Sequence, residues 1–423
     1  MSASYSPDLI ETPLDAANVR PQRVLHLVSA QTDGNLVVNG MLQPLLMKGD
    51  RRTLLHRVVH FATGHPHANV IRQAGVPVHE LTLSRKRWSA LAPRELVQVV
   101  REFEPDVIHA WGLSALVAAQ LLRRFASTGT RYICSQLQTE VLPGQAGALD
   151  RLKLKLALKF APRFDQIVYP SEASRSRHRR AGFPEDNSTV ISPGVDPERF
   201  KPSLVARKRV REKLGLAANA FVIGMHAPYL PEFDHATFFK AAGETIRSNP
   251  HAQILLAGKG VQKGNGPLMA LVGGGALATR VRLLGEWSDL PGLFSACDVV
   301  VSSAQNDEMR MTLAMAMLCG IPCVATGVAA QAEVVGRFGI TAEAGSEVSL
   351  ARGIARVMEM PADHRVFMAR NARDNAMNHF SQTRSIWRYQ MVYLGVPDAG
   401  MAPVEEKPAP RAVAADVDQS TAA

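Results

Sequence analysis

The sequence predicts an α/β protein built from two doubly wound, Rossmann-like domains facing each other across a cleft. Two observations carry that prediction. Short β-branched runs alternate with helix-length segments along most of the chain, the pattern of right-handed βαβ units and parallel sheets. The alternation also starts afresh after the turn-rich stretch SPGVDPERFKPS, which puts a boundary near residue 200. A length of 423 residues accommodates two or three cores of ordinary size.

Taken in order, residues 1–22 are polar and aperiodic and are expected to be disordered. RVLHLVS, starting at Arg23, reads as a buried first strand, followed by the loop AQTDGN and a helix through VVNGMLQPLLMKG. A helical pattern, APRELVQVVREF, runs from Ala92 and Pro93 and leads to a strand in EPDVIHAW. RYICSQL, QIVYPS and STVISP complete a first domain over 23–196. FVIGMHA, QILLAGKG, RVRLLGEW, DVVVSSA and PCVATGV repeat the theme in a second domain over 197–379. A helix over about 380–395 is expected to cross back to the first domain. The tail 396–423, rich in Ala, Pro and charge, is expected to be disordered.

Lys and Arg number 48 against 38 Asp and Glu, a net charge of +10, which points to an anionic partner: nucleic acid, an acidic membrane surface or a phosphorylated small molecule. Nucleic acid is set aside, because no RNP-type aromatics, zinc-finger spacing or basic zipper is present and aromatics are only 6%. No apolar run is long enough to span a membrane and the first twenty residues lack a signal-peptide core. Cys134, Cys297, Cys319 and Cys323 lack the ligand set of a structural zinc site and read as small buried hydrophobes in a reducing cytoplasm.

Several blocks then become specific. ISPGVDPERFKP is similar to the interdomain "PNGVD…F.P" segment of family-four, group 1 glycosyltransferases of the GT-B fold, and PDVIHAWG resembles their "PDVVHAHG". VRLLGEWSDLPGLFSACDVVVSSA and AMAMLCGIPCVATGVAAQAEVV resemble "V.FLG…DL..LYA.ADV.V.PS" and "EAMACG.PVVAT..GG..E.V", in the family's order. The resemblance implies a nucleotide-diphosphate sugar held mainly by the second domain, transfer with retention to an acceptor on the first, and no metal or other cofactor.

The same alignment shows departures. Where the family places an Arg, a Lys and a Gly after the first strand of the second domain, this chain has Pro228, Phe233 and Asp234. Two charged hydrogen bonds lost are worth about 3–6 kcal/mol, or on the order of 10²–10⁴ in rate if all of it acts in the transition state. The family's paired Glu positions fall on Asp307 (or Glu308, one register on) and Met315. Asp307 and Glu308 are the acidic candidates for catalysis beside His109, and equally suit a helix N-terminus, where acids favour the dipole. Donor-binding candidates implied by the resemblance are Gly34 and Asn35 in the first loop, with His226, Lys259, Arg310, Thr312 and Glu333. Arg310 and Lys259 are the residues expected to restore positive charge near a diphosphate.

RLKLKLALKFAPRF, 151–164, spaces Arg151, Lys155, Lys159 and Arg163 four apart beside a stripe of Leu152, Leu156, Phe160 and Phe164. Such a helix lies on anionic lipid, or packs its stripe on the sheet and leaves its basic face in water. The expected function is transfer of a hexosyl group from a nucleotide-diphosphate sugar to a glycan or lipid acceptor in cell-surface polysaccharide or glycolipid synthesis, in the cytoplasm and peripheral to the inner membrane face. The alternative is a catalytically degenerate GT-B protein, a scaffold or regulatory partner of an active transferase.

Overall fold

The computed structural model describes residues 20–29, 41–63, 66–81, 92–135, 148–305 and 310–396. The strands of the first domain are β1 Gln22–Val28, β2 Leu54–His60, β3 Val78–Glu80, β4 Val107–Trp111, β5 Arg131–Ser135, β6 Gln166–Tyr169 and β7 Ser188–Val190. They form an all-parallel sheet in the order β3-β2-β1-β4-β5-β6-β7. The second domain holds β8 Phe221–His226, β9 Ala252–Ala257, β10 Val281–Leu283, β11 Val299–Ser302, β12 Cys323–Thr326 and β13 Ile340–Ala342. Its sheet runs β10-β9-β8-β11-β12-β13, again parallel. In each sheet the strand order reverses once, beside β1 and beside β8, and such switch points are where open α/β sheets take ligands.

Both faces of both sheets are covered, which is why the strands are near-continuous runs of Val, Ile, Leu and Ala. In the first domain alternate residues divide the faces. Leu25, Leu27, Ile108, Ala110 and Cys134 pack to one side, while Val24, Val28, Val107, Trp111 and Ile133 pack to the other. The second side is roofed by Ile386, Tyr389 and Tyr393 of the helix Gln382–Leu394. The last helix therefore completes the first domain's core.

The outgoing and returning chains cross side by side. Val195 N donates to Phe380 O and Gln382 N donates to Val195 O, both at 2.8 Å. A Cβ on Gly194 would sit 2.3 Å from Gln382 Cα, so only glycine permits this approach. Lys48 Nζ fastens the crossing to the first domain through Asp196 Oδ2 (2.8 Å) and Gln382 Oε1 (2.6 Å). The four cysteines are buried and form no disulfide, and burial pushes the Cys297 and Cys319 thiols up to about 12. They are inert core residues.

Candidate functional site

The loop after β8, which carries Pro228, Phe233 and Asp234, is tightly fastened. Tyr229 N donates to Lys259 O (2.8 Å), Gln305 N to Glu232 O (2.8 Å), and Ser303 Oγ to Phe233 O (2.8 Å). Phe233 turns into the core beside Phe238 and Val301, with 6% of its surface exposed. Asp234 adopts φ 44°, ψ 57°, the left-handed region that glycine enters freely and Asp tolerates better than most residues. The family's glycine at this position thus has a backbone reason. Asp234 then caps the helix His235–Ser248: its Oδ1 accepts from Thr237 N, and its Oδ2 from Thr237 Oγ1 and Gln305 Nε2. Burial raises its carboxyl pKa, but these hydrogen bonds outweigh that and hold it below the usual range.

Lys259 is exposed at the carboxyl end of β9. Gly258 before it has φ 148°, and a Cβ there would lie 2.0 Å from Ala227 O, so the two loops approach as closely as backbones can. His226 ends β8 with its ring edge-on to Phe294 at 6.3 Å. Burial depresses its pKa, so at neutral pH the ring is uncharged and adds no cation near a phosphate. Arg310 opens the helix Arg310–Leu318, Thr312 is half-buried in its first turn, and Met315 packs against the core of the second domain. Asp307, Glu308, Gly34 and Asn35 lie outside the described residues, as does the side chain of Arg310.

His109 does not open onto the cleft. It is fully buried, with Nδ1 2.7 Å from Tyr393 Oη and Nε2 2.8 Å from Ser135 Oγ. Both ring nitrogens are committed, so the catalytic contact expected of it is not available in this conformation. The sheet register explains why: His26, His56, His109 and Trp111 all point to the face roofed by the last helix. Trp111 Nε1 donates to His26 Nδ1 (3.1 Å). Since an indole N–H only donates, His26 carries its proton on Nε2, which faces His56 Nδ1 at 3.0 Å. His56 Nε2 is left buried without a partner among the described residues.

Burial lowers all three imidazoles. Neighbouring histidines lower His26 and His109 further, and Arg51 helps bring His56 to about 4. A histidine depressed in the folded state contributes stability above its unfolded value, about 6.5, and loses it as pH falls toward the folded value. Stability is therefore expected to hold from pH 8 to 7 and to drop steadily between about 6.5 and 4. Urea midpoints over a pH series check this, and a flat profile across that window would show that these rings titrate normally.

Glu333 reaches across the cleft. Its Oε1 accepts from Ala173 N (2.9 Å) and its Oε2 from Glu172 N (3.3 Å), the first amides of the helix Glu172–Arg180. A carboxylate at a helix N-terminus is favourably placed, and this one joins the domains. The contact shows that the carboxyl ends of the two sheets face each other.

The basic segment forms the helix Ala148–Phe160 and the turn Ala161–Arg163. Its buried side is Ala157 and Ala161 with Leu154, Leu158 and Phe160, and Phe164 beyond it; the expected stripe therefore packs on the core at Phe160 and Phe164, while Leu152 is 53% exposed. Pro162 ends the regular helix, so Phe164, which is buried, no longer continues the face of Leu152 and Leu156. Arg151, Lys155, Lys159 and Arg163 are exposed. Among the described residues no helix is long and apolar enough to cross a membrane.

Two parallel sheets of this order, a linker, a returning helix and facing carboxyl edges define a protein of the GT-B class. A family model described as glycosyl transferases group 1 matches residues 220–360, and one described as Glycosyltransferase Family 4 matches residues 51–199. The chain belongs to these group 1 glycosyltransferases. It is 23% identical over 282 residues to a GDP-mannose-dependent monoacylated alpha-(1-6)-phosphatidylinositol monomannoside mannosyltransferase of Corynebacterium glutamicum, covering 63% of this chain and 70% of that one. It is 30% identical over 204 residues to a D-inositol 3-phosphate glycosyltransferase of Stackebrandtia nassauensis, covering 45% of each. Its fold superposes on Anabaena Alr3699/HepE, solved in complex with UDP, with a TM-score of 0.72 over 88% of this chain and 100% of that one, at 22% identity.

Proposed function

We propose that the protein moves a hexosyl group, with retention, from a nucleotide-diphosphate sugar to a glycan or lipid acceptor in cell-surface polysaccharide or glycolipid synthesis, without a metal or other cofactor. The observation that carries this reading is Lys259, exposed on a Gly-flanked turn beside the β8 switch point and tied through its carbonyl to the loop that replaces the clamp. Arg310, at the start of the helix after β11, is the second candidate cation. The relatives named above act on mannosyl and inositol phosphate substrates, and the Anabaena structure holds UDP, which supports a nucleotide sugar as donor. The exposed row Arg151, Lys155, Lys159 and Arg163 suits an anionic inner membrane face, where a lipid acceptor resides.

Titration calorimetry with UDP, GDP, ADP and their sugars tests the donor. One nucleotide is expected to bind with micromolar affinity, and Lys259→Ala to weaken it about tenfold or more, the worth of a charge-assisted hydrogen bond. The burial of Phe233 favours a second reading, a scaffold or partner of an active transferase. Absence of heat across the whole panel would leave that second reading standing alone.

A further inference from the structure

Beside the crossing chains lies a cavity of about 450 Å³, lined in part by Glu333, whose carboxylate accepts from the amides of Glu172 and Ala173. It flanks β7 at the far edge of the first sheet, away from the switch points beside β1 and β8. The first domain supplies Arg175, Ser188 and Ser192, the second supplies Asn375, and the crossing supplies His379 and Arg388. An adjoining notch of about 20 Å³ shares Ser192, His379 and Arg388 and adds Arg384. We propose that this crevice binds a soluble sugar phosphate, the phosphate on the Arg384, Arg388 and His379 end and the hydroxyls on the Ser188, Asn375 and Glu172 end.

Charge and geometry favour that ligand class. Three arginines face two glutamates, Glu172 and Glu333. Glu172 is paired to Arg175 at 2.8 Å, and Glu333 is held by the two helix amides. The positive excess therefore gathers at the Arg384 and Arg388 end. Arg388 is oriented there by Nη1 donating to Val190 O (2.6 Å). Arg384 lines the notch with its guanidinium over the Trp387 ring, 5.9 Å from the centroid. Burial, then Arg384 and Arg388, depress the His379 pKa, so the positive charge at this end comes from the two arginines. Planar guanidinium groups recognise phosphate oxygens, and mixed carboxylate, amide and hydroxyl walls suit a polyol. The volume lies within the usual range for small-ligand sites. Because both domains line it, an occupant fixes their relative placement.

Calorimetry on the full chain with glucose 6-phosphate, inorganic phosphate and glucose, each with and without saturating UDP, tests the site. Glucose 6-phosphate is expected to bind at one site per chain whether or not UDP is present. Inorganic phosphate should bind at least tenfold more weakly, and glucose not at all. Arg384→Gln is expected to weaken glucose 6-phosphate at least tenfold with an unchanged thermal melt, since its guanidinium makes no hydrogen bond that the fold needs. Asn375→Leu is the independent second variant, with loss expected on the sugar side. No saturable binding at millimolar concentration, competition by UDP, equal affinity for inorganic phosphate, or undiminished binding by both variants would each overturn the proposal. Nucleotide binding in the donor cleft is read separately, so failure here leaves the donor reading intact.

Discussion

Ending the chain at Ser381 is expected to abolish cooperative folding of the first domain, although that domain's sheet would keep every strand. The helix Gln382–Leu394 contributes Tyr389 and Tyr393, 1% and 0% exposed, to the face of β1, β4 and β5. Two tyrosines bury about 300–500 Å², worth roughly 8–12 kcal/mol as an upper bound, against about 5–15 kcal/mol for an entire domain. The polar layer beneath would also be stranded: His109 would lose Tyr393, and Ser135 would lose Tyr389 Oη at 3.2 Å. Arg131, which donates to the carbonyls of Tyr393 and Val392 at 3.0 Å each and so caps the helix, would lose both. Tyr393→Phe isolates the polar part and is expected to cost about 1–3 kcal/mol. Circular dichroism and urea titration of the two variants check both numbers. A truncated chain that melts like the full one would sink this account of the core.

Asp298→Ala is expected to destabilise the second domain by about 3–5 kcal/mol, the cost of breaking a buried ion pair by removing one partner. Asp298 Oδ2 accepts from Arg211 Nη2 and from Val222 N, each at 2.7 Å, and its Oδ1 accepts from Arg207 Nη2 at 2.6 Å. Arg211, 5% exposed, spends its other donors on the carbonyls of Ala296, Ala218 and Ala220. One carboxylate thus ties β8 to the helix Leu204–Lys213, the first element after the domain crossing. Removing it strands a guanidinium in a nearly dry site. Asp298→Asn should recover part of the loss, because an amide oxygen still accepts from Val222 N. The lower of two thermal transitions is the readout. Equal melting of Asp298→Ala and the parent chain would show that the arginines find other partners.

What the sequence made legible follows from how local each signal is. β1, β4 to β7 and β8 to β12 announce themselves because uninterrupted apolar runs are bounded by turn residues. β2 was not marked as a strand: LLHRVVH carries His56 and His60 on its buried positions, and polar residues there erase the usual pattern. β3 and β13, VHE and ITA, are no shorter than β7 and β10, but they lack the longer runs STVISP and RVRLLGEW that make those two legible. The altered clamp was visible as Pro228 and Phe233, but not the fact that Phe233 folds inward, which depends on β11 and its following loop. The role of His109 was hidden most deeply. Its partner Tyr393 lies 284 residues away, and no spacing rule links the two. For the basic helix, the four-residue spacing makes the exposed row Arg151, Lys155, Lys159 and Arg163 legible, and the apolar stripe holds at Phe160 and Phe164 but not at Leu152.

The returning helix also sets a schedule for synthesis. β7 ends at Val190 and the helix that covers its sheet ends at Leu394, so about 200 further residues must be made before the first domain can close. At translation rates of about 5–20 residues per second that interval is roughly 10–40 s. Throughout it, Trp111 and three histidines sit on an open, half-finished sheet face while the second domain emerges and folds. The chain is thus most vulnerable to aggregation at its first-made end, and is rescued there only when Gln382–Leu394 leaves the ribosome.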